Sequence, residues 1–239
     1  MLEDSLRYPT KRDDALRIIA IGGILGLLSF LIIPAFIVGG YLIRVYRRVM
    51  ADEIEEPPGF SDWEQLLGDG LRGFVVGLAY FIVPAVLLVA TVGTAVVAAA
   101  VTTATGGQVS PEAGVALGGM AAIGALIALV LMLVAWYVLP AAIANFVRRD
   151  SLAAAFSFGE VIGIATSSDY VVAWVLALVV SIVGSAVTGV LSATGVGAIL
   201  SPFVGFYVGV AMAYLYASGA AAATGEDGST ETPAGRPAA

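Results

Sequence analysis

Long uncharged runs alternate with short charged segments along this chain. Four runs contain no Asp, Glu, Lys or Arg, namely residues 18–43, 73–111, 113–147 and 170–225. A membrane-spanning helix needs about 20 mostly apolar residues, so the first three runs hold one span each. The fourth is long enough for two, divided by the glycine-rich segment 192–197. The pattern predicts five spans, at about 18–43, 74–100, 115–144, 171–191 and 198–218.

Composition supports lipid as the solvent of most of the chain. Of the 239 residues, 59% are hydrophobic and 12% are charged, whereas soluble domains average about 25% charged residues. We therefore expect an all-α, polytopic integral membrane helix bundle, with the lipid bilayer as its surroundings. Residues 1–17 form a polar N-terminal segment, 18–218 the transmembrane domain, and 219–239 a disordered tail.

A short motif occurs twice, as Phe60-Ser61-x-x-Glu64 and as Phe156-Ser157-x-x-Glu160. Each copy predicts a short amphipathic helix at the membrane interface, over about 60–72 and 151–166. In the first, Ser61 and Glu64 have the spacing of a capping box, and Trp63 and Leu67 lie on the apolar face. Two interpretations stay open for this helix, a docking site for a partner or lipid and a plain structural connector.

Arginines cluster directly after two of the predicted spans. They either fix the topology of the chain or form a lipid-headgroup site, because arginine beside an anionic leaflet serves both purposes. The residues concerned are Arg44, Arg47, Arg48, Arg148 and Arg149.

The distribution of basic residues also predicts orientation. Segments 44–72 and 148–169 carry arginines, whereas the alternate loops 101–114 and 192–197 carry no basic residue. The positive-inside rule then places both arginine segments and the C-terminus in the cytoplasm. Five spans would put the N-terminus outside, although it holds four basic residues. A re-entrant first segment, broken at Gly22-Gly23 or at Pro34, would remove this conflict.

The residue types that are missing exclude much chemistry. The chain has no Cys and no His, and the predicted spans contain no ionisable residue that could serve as a base or ligand at depth. We therefore expect no catalytic residue, no metal site and no cofactor, and hence no enzymatic activity. A net charge of −7 without a basic stripe argues against nucleic acid as a partner.

Two sequence pieces resemble a known family. Gly40-Tyr41-Leu42-x-Arg44 is followed by Pro58-x-Phe60-x-Asp62-Trp63, and both are similar to a domain-of-unknown-function family of archaeal and bacterial membrane proteins, number 4013. The resemblance extends over about residues 5–220 and implies a polytopic membrane protein without an assigned activity. Acid excess, a single lysine and abundant Ala, Gly and Val are typical of a haloarchaeal source.

Function is predicted only at the level of class. A bundle without buried charge favours a non-catalytic membrane scaffold or assembly component of the cell membrane. The alternative is a small permease or channel-like transporter for a neutral or lipidic solute, suggested by the repeat and by four prolines in or near spans. Glycines recurring every four residues allow close helix packing, within the chain or in a homo-oligomer or a complex with other membrane proteins.

Overall fold

The computed structural model describes residues 1–107 and 110–225. Within these ranges the regular structure is helical and no strand occurs, so the all-α fold is confirmed. The α-helices are α1 (Leu2–Arg7), α2 (Ala15–Leu27), α3 (Ile33–Met50), α4 (Trp63–Thr105), α5 (Pro111–Arg149), α6 (Phe158–Ala165), α7 (Ser168–Ser192) and α8 (Val196–Thr224). Short 3₁₀ turns lie at Tyr8–Thr10, Ser29–Leu31 and Leu152–Phe156.

The chain divides into two compact units. The first, called the helical core unit, comprises Met1–Phe74 and the chain from Pro140 onward. The second, called the apolar arm, is Val75–Leu139. In the helical core unit, α8 lies at the centre and packs against α7, α3 and α2. In the apolar arm, a Cβ on Gly124 of α5 would lie 2.2 Å from Cγ2 of Thr91 on α4, so the two helices touch there.

Four helices of the described chain are long and apolar enough to cross a membrane: α4, α5, α7 and α8. The expectation of a polytopic membrane bundle is thus confirmed, but residues 18–43, predicted as one span, are not a single helix. That segment instead forms α2, a turn and α3. At 13 residues α2 is about 20 Å long, short of the roughly 30 Å of bilayer hydrocarbon.

Helices α2 and α3 form a hairpin whose two ends meet. The Tyr8 hydroxyl approaches the Glu56 carbonyl at 3.5 Å, and Lys11 Nζ donates to the Ile54 carbonyl at 3.0 Å. The chain reverses just before Pro34, which occupies the first turn of α3, where a missing N–H is tolerated. At the reversal Ile32 has φ +67°. The two ends of the first hydrophobic segment therefore lie close together.

Two other expectations need correction. The interfacial helix predicted over 60–72 is not separate, because from Trp63 it is the first part of α4. The predicted disordered tail begins too early, since α8 continues to Thr224; residues 226–239 lie outside the described ranges. The second predicted interfacial segment, 151–166, holds a 3₁₀ turn followed by α6.

Candidate functional site

The polar end of the helical core unit gathers its charged side chains, where α3 ends and α4 begins. Arg47 Nη1 lies 2.9 Å from Asp69 Oδ2, and Arg72 Nη1 lies 3.2 Å from Asp69 Oδ1. Asp69 is 1% exposed, so its charge is compensated by two guanidinium groups rather than by water. A longer contact of 3.5 Å joins Arg47 to Asp150, which follows α5.

A second polar cluster links the end of α5 to α6. The side-chain amide of Asn145, fully buried, donates to the Ala154 carbonyl at 2.8 Å and to Glu160 Oε2 at 3.0 Å. Arg148 contacts the same Glu160 oxygen at 3.3 Å, and Arg149 pairs with the other oxygen. The Asn145 hydrogen bond, followed by the charges of Arg149 and Arg148, lowers the pKa of Glu160.

The loop 51–62 is held to α3 through its own carbonyl groups. Arg44 Nη1 donates to the Gly59 carbonyl at 3.2 Å and to the Ser61 carbonyl at 2.7 Å. Arg48 donates to the Glu56 carbonyl at 3.3 Å. Because loop carbonyls near a membrane need donors, these arginines fix a segment without regular structure.

All five arginines singled out from the sequence therefore lie in this region, and each has a contact within the chain. Arg44 and Arg48 bind the loop, Arg47 pairs with Asp69, and Arg148 and Arg149 pair with Glu160. Their two predicted roles, topology anchors or a headgroup site, stay predictions.

The capping box at Ser61 and Glu64 is absent from the structure. Helix α4 begins at Trp63, after Asp62 with φ +51°. The Ser61 hydroxyl instead accepts a 3.4 Å hydrogen bond from Arg44. Arg44 of α3 thus donates to the Ser61 hydroxyl oxygen, which the sequence predicts as the cap of the helix N-terminus. Leu67, placed on the apolar face, is exposed, and the neighbouring Leu66 is the buried leucine.

The two sequence pieces that carry the family resemblance pack against each other. The Tyr41 hydroxyl donates to the Pro58 carbonyl at 2.9 Å, and the Tyr41 and Phe60 rings stack with centroids 4.5 Å apart. Trp63 also stacks on Phe60, with ring centroids 5.8 Å apart, and the Phe206 ring of α8 lies 5.9 Å from the Phe60 ring. These residues form an aromatic stack that joins the loop to α3 and α8.

Sequence reasoning missed Asp69 as a site residue because it lies on the polar side of an amphipathic helix pattern. It also missed the Asn145–Glu160 bond, although both residues were visible as polar groups near helix ends. The available signal was the recurrence of acids close to the arginine clusters, as Asp69 and Glu160. No group of three or more His, Cys, Asp or Glu side chains suited to a metal occurs among residues 1–107 and 110–225.

Four apolar helices of spanning length, with polar groups collected at helix ends, define the class of protein as an α-helical multi-pass membrane protein. A family model described as protein of unknown function (DUF4013) matches residues 27–193, and the chain belongs to that family. The match leaves out α8, the central helix of the helical core unit. No curated protein and no solved structure matches the chain.

Proposed function

We propose that this chain is a non-catalytic scaffold or assembly component of the cell membrane. The observation that carries the proposal is the apolar surface of α4 and α5. In the most hydrophobic 18-residue window of each helix, only 11% is buried within the chain. Large side chains such as Met120 and Ile123 are mostly exposed. Such a surface needs lipid or another membrane protein against it.

The polar groups of the helical core unit support the same proposal. Asp69, Asn145 and Glu160 are each occupied by partners from the chain itself. Groups that neutralise one another hold the loop and helices together, so these three side chains serve the structure and are not available as a catalytic acid or base. We therefore propose that the protein is not an enzyme.

Four spans and the hairpin support one orientation of the chain in the membrane. In this topology the N-terminal segment, the loop 51–62, the segment 150–167 and the end of α8 share one side. All basic residues of the described chain then fall on that side, whereas the links after α4 and after α7 contain none. We propose that this side is cytoplasmic, C-terminus included, by the positive-inside rule.

The composition supports a haloarchaeal source. A chain of net charge −7 with a single lysine repels itself at low salt, and salt screens that repulsion. The purified protein should unfold at a higher temperature in about 2 M KCl than in about 0.2 M KCl. An unfolding temperature that does not change with the KCl concentration would indicate an ordinary acidic membrane protein instead.

A second function, a permease for a neutral or lipidic solute, has one observation in its favour. A cavity of about 520 Å³ lies between the α2–α3 hairpin, α7 and α8. Its polar lining includes Thr188, Ser192 and Ser201, and its walls include Gly22 and Gly205. The Thr188 hydroxyl already donates to the Gly184 carbonyl at 3.0 Å. Its oxygen is therefore left to accept a hydrogen bond from a solute.

Photocrosslinking in native membranes tests the scaffold. A benzoylphenylalanine at Met120 or at Ile123 should yield a discrete protein adduct, at twice 24.3 kDa for a second copy or at another fixed mass for a different membrane protein. The matched control is Ala128, which is buried on the same helix. Adducts with lipid alone at both exposed positions would contradict the scaffold.

A flux assay separates the permease from the scaffold. Liposomes containing the purified chain should take up glycerol and urea no faster than empty liposomes. Faster uptake that is abolished by Gly205→Leu, which fills the cavity, would establish transport instead. Gly205 is suited to this because a Cβ there would meet no atom within 4 Å.

A further inference from the structure

A separate cavity of about 300 Å³ lies where the N-terminal segment meets the loop 51–62. Three arginines from different parts of the chain line it. Arg12 precedes α2, Arg17 lies in its first turn, and Arg48 belongs to the last turn of α3. The cavity lies within the helical core unit, beside the loop that the aromatic stack holds in place.

The cations of this cavity are only partly compensated. Arg12 Nε pairs with Asp14 Oδ1 of the lining at 2.6 Å, and Arg12 Nη1 lies 3.9 Å from Glu56 Oε2, outside the lining. Arg48 binds the neutral Glu56 carbonyl and lies 3.7 Å from Glu53, outside the lining. The Arg17 side chain has no hydrogen bond or ion pair within the described residues. Arg12 and Arg48 thus have carboxylate partners, and Arg17 is the cation of the lining that has none among the described residues.

The lining of the cavity also includes apolar residues. Ile18 and Ile21 follow Arg17 on α2, and Phe60 comes from the loop 51–62. The lining therefore combines cationic and apolar side chains. A small inorganic anion would use only the cationic side chains.

From this arrangement we infer that the cavity binds the phosphate-bearing headgroup of an anionic membrane lipid. Guanidinium groups donate in a planar fork that fits phosphate oxygens. Ile18, Ile21 and Phe60 supply the apolar surface that the start of an acyl or alkyl chain needs. This site shares Arg48 with the arginine cluster at the end of α3 and adds Arg12 and Arg17, which come from the N-terminal part of the chain. It stands independently of the scaffold proposal.

Thermal unfolding of the full chain in a nonionic detergent tests the site. The ligands are dihexanoyl phosphatidylglycerol, dihexanoyl phosphatidylcholine and sodium phosphate, at matched ionic strength. We expect phosphatidylglycerol to raise the midpoint in a saturable way, phosphatidylcholine to need higher concentrations, and inorganic phosphate to have little effect. Native mass spectrometry on the same samples counts the bound lipid directly.

Arg17→Gln is the informative variant because its side chain has no contact to lose. Its midpoint without lipid should equal that of the unchanged protein, and its apparent affinity for phosphatidylglycerol should fall at least about tenfold. Arg17→Lys should recover part of that affinity. Arg7→Gln is the matched control, since Arg7 is an exposed arginine of the same segment, paired with Glu3 and outside the lining.

Three results would overturn the inference. Equal affinity in Arg17→Gln and Arg7→Gln would show that general charge attracts the lipid. Equal stabilisation by the two lipids would show that the site does not distinguish an anionic headgroup from a zwitterionic one. Equal stabilisation by inorganic phosphate at the same concentration would assign the cavity to a soluble anion.

Discussion

Arg47 of α3 and Asp69 of α4 form an ion pair at 2.9 Å that joins two helices at the polar end of the helical core unit. The Asp69 side chain is almost fully buried, and its second ion-pair partner is Arg72. Removing one partner of a buried pair leaves a charge that neither water nor protein compensates. The pair is therefore a contact on which the position of α4 against α3 depends.

Arg47→Gln should destabilise the protein by about 3 kcal/mol, the usual cost of breaking a buried ion pair. Arg72→Gln should cost less, because its side chain is more exposed than that of Arg47. Adding Asp69→Asn to Arg47→Gln should recover part of the loss, since the uncompensated charge is then removed. Unfolding free energies in mixed micelles give the comparison. Equal effects of the two arginine variants would contradict this account.

Close packing of α3 against α4 predicts a large effect of one methyl group. A Cβ on Gly40 would lie 1.8 Å from the Leu66 carbonyl oxygen, which is backbone and cannot rotate away. Gly40→Ala should therefore separate the helices and destabilise the protein by at least about 2 kcal/mol. Gly68→Ala is the control, because a Cβ there meets nothing within 4 Å. It should be neutral or slightly stabilising, as helix propensity predicts. A tolerated Gly40→Ala would mean that the two helices lie further apart.

The Glu160 cluster predicts a pH-dependent contribution to stability. The pKa of Glu160 is lowered in the folded protein, first by the Asn145 hydrogen bond and then by Arg149 and Arg148. A lowered pKa means that ionised Glu160 stabilises the fold at neutral pH. This contribution is complete above the ordinary value of 4.5 and is lost as the pH falls through the lower folded value.

Comparing the unchanged protein with Glu160→Gln across pH checks this sign. The unchanged protein should have the higher unfolding temperature at pH about 7, and the difference should shrink below about pH 4.5. Glu64→Gln is the matched control, because the Glu64 side chain has no hydrogen bond or ion pair within the described residues. A difference that persists unchanged at low pH would assign the effect of Glu160 to packing.

The spanning helices could be predicted from the sequence because uncharged length alone defines them. The cores of α4, α5, α7 and α8 coincide with uncharged runs, since any charge at depth would be costly. The first segment could not be resolved in the same way. A run of 26 uncharged residues between Ile18 and Ile43 suits either a span or a hairpin, and only Pro34 and the basic N-terminus indicated the hairpin.

The polar contacts were harder to predict because their partners come from other helices. Helix periodicity places Asp69 on a polar face, but it does not show that Arg47 of α3 covers that face. Local spacing likewise suggested a cap at Ser61, whereas Arg44 occupies its oxygen. A sequence pattern within one helix does not reveal a hydrogen-bond donor that comes from another helix. Arg44 and Arg47 reach their partners only because α3 packs against α4.

The topology is the claim on which the orientation and the re-entrant hairpin both depend. Single cysteines at Asp13, Glu55, Ser151 and Gly107 test it, because the chain has no cysteine of its own and the background is zero. All four positions are exposed, and each variant should label fully after the cells are permeabilised.

In intact cells, an impermeant thiol reagent should label the cysteine at Gly107 and leave those at Asp13, Glu55 and Ser151 unlabelled. Protection at Asp13 is the decisive result, since a hairpin keeps the N-terminal segment on the same side as the loop 51–62. Labelling at Asp13 together with protection at Glu55 would contradict the account, because the segment between them would then cross the membrane.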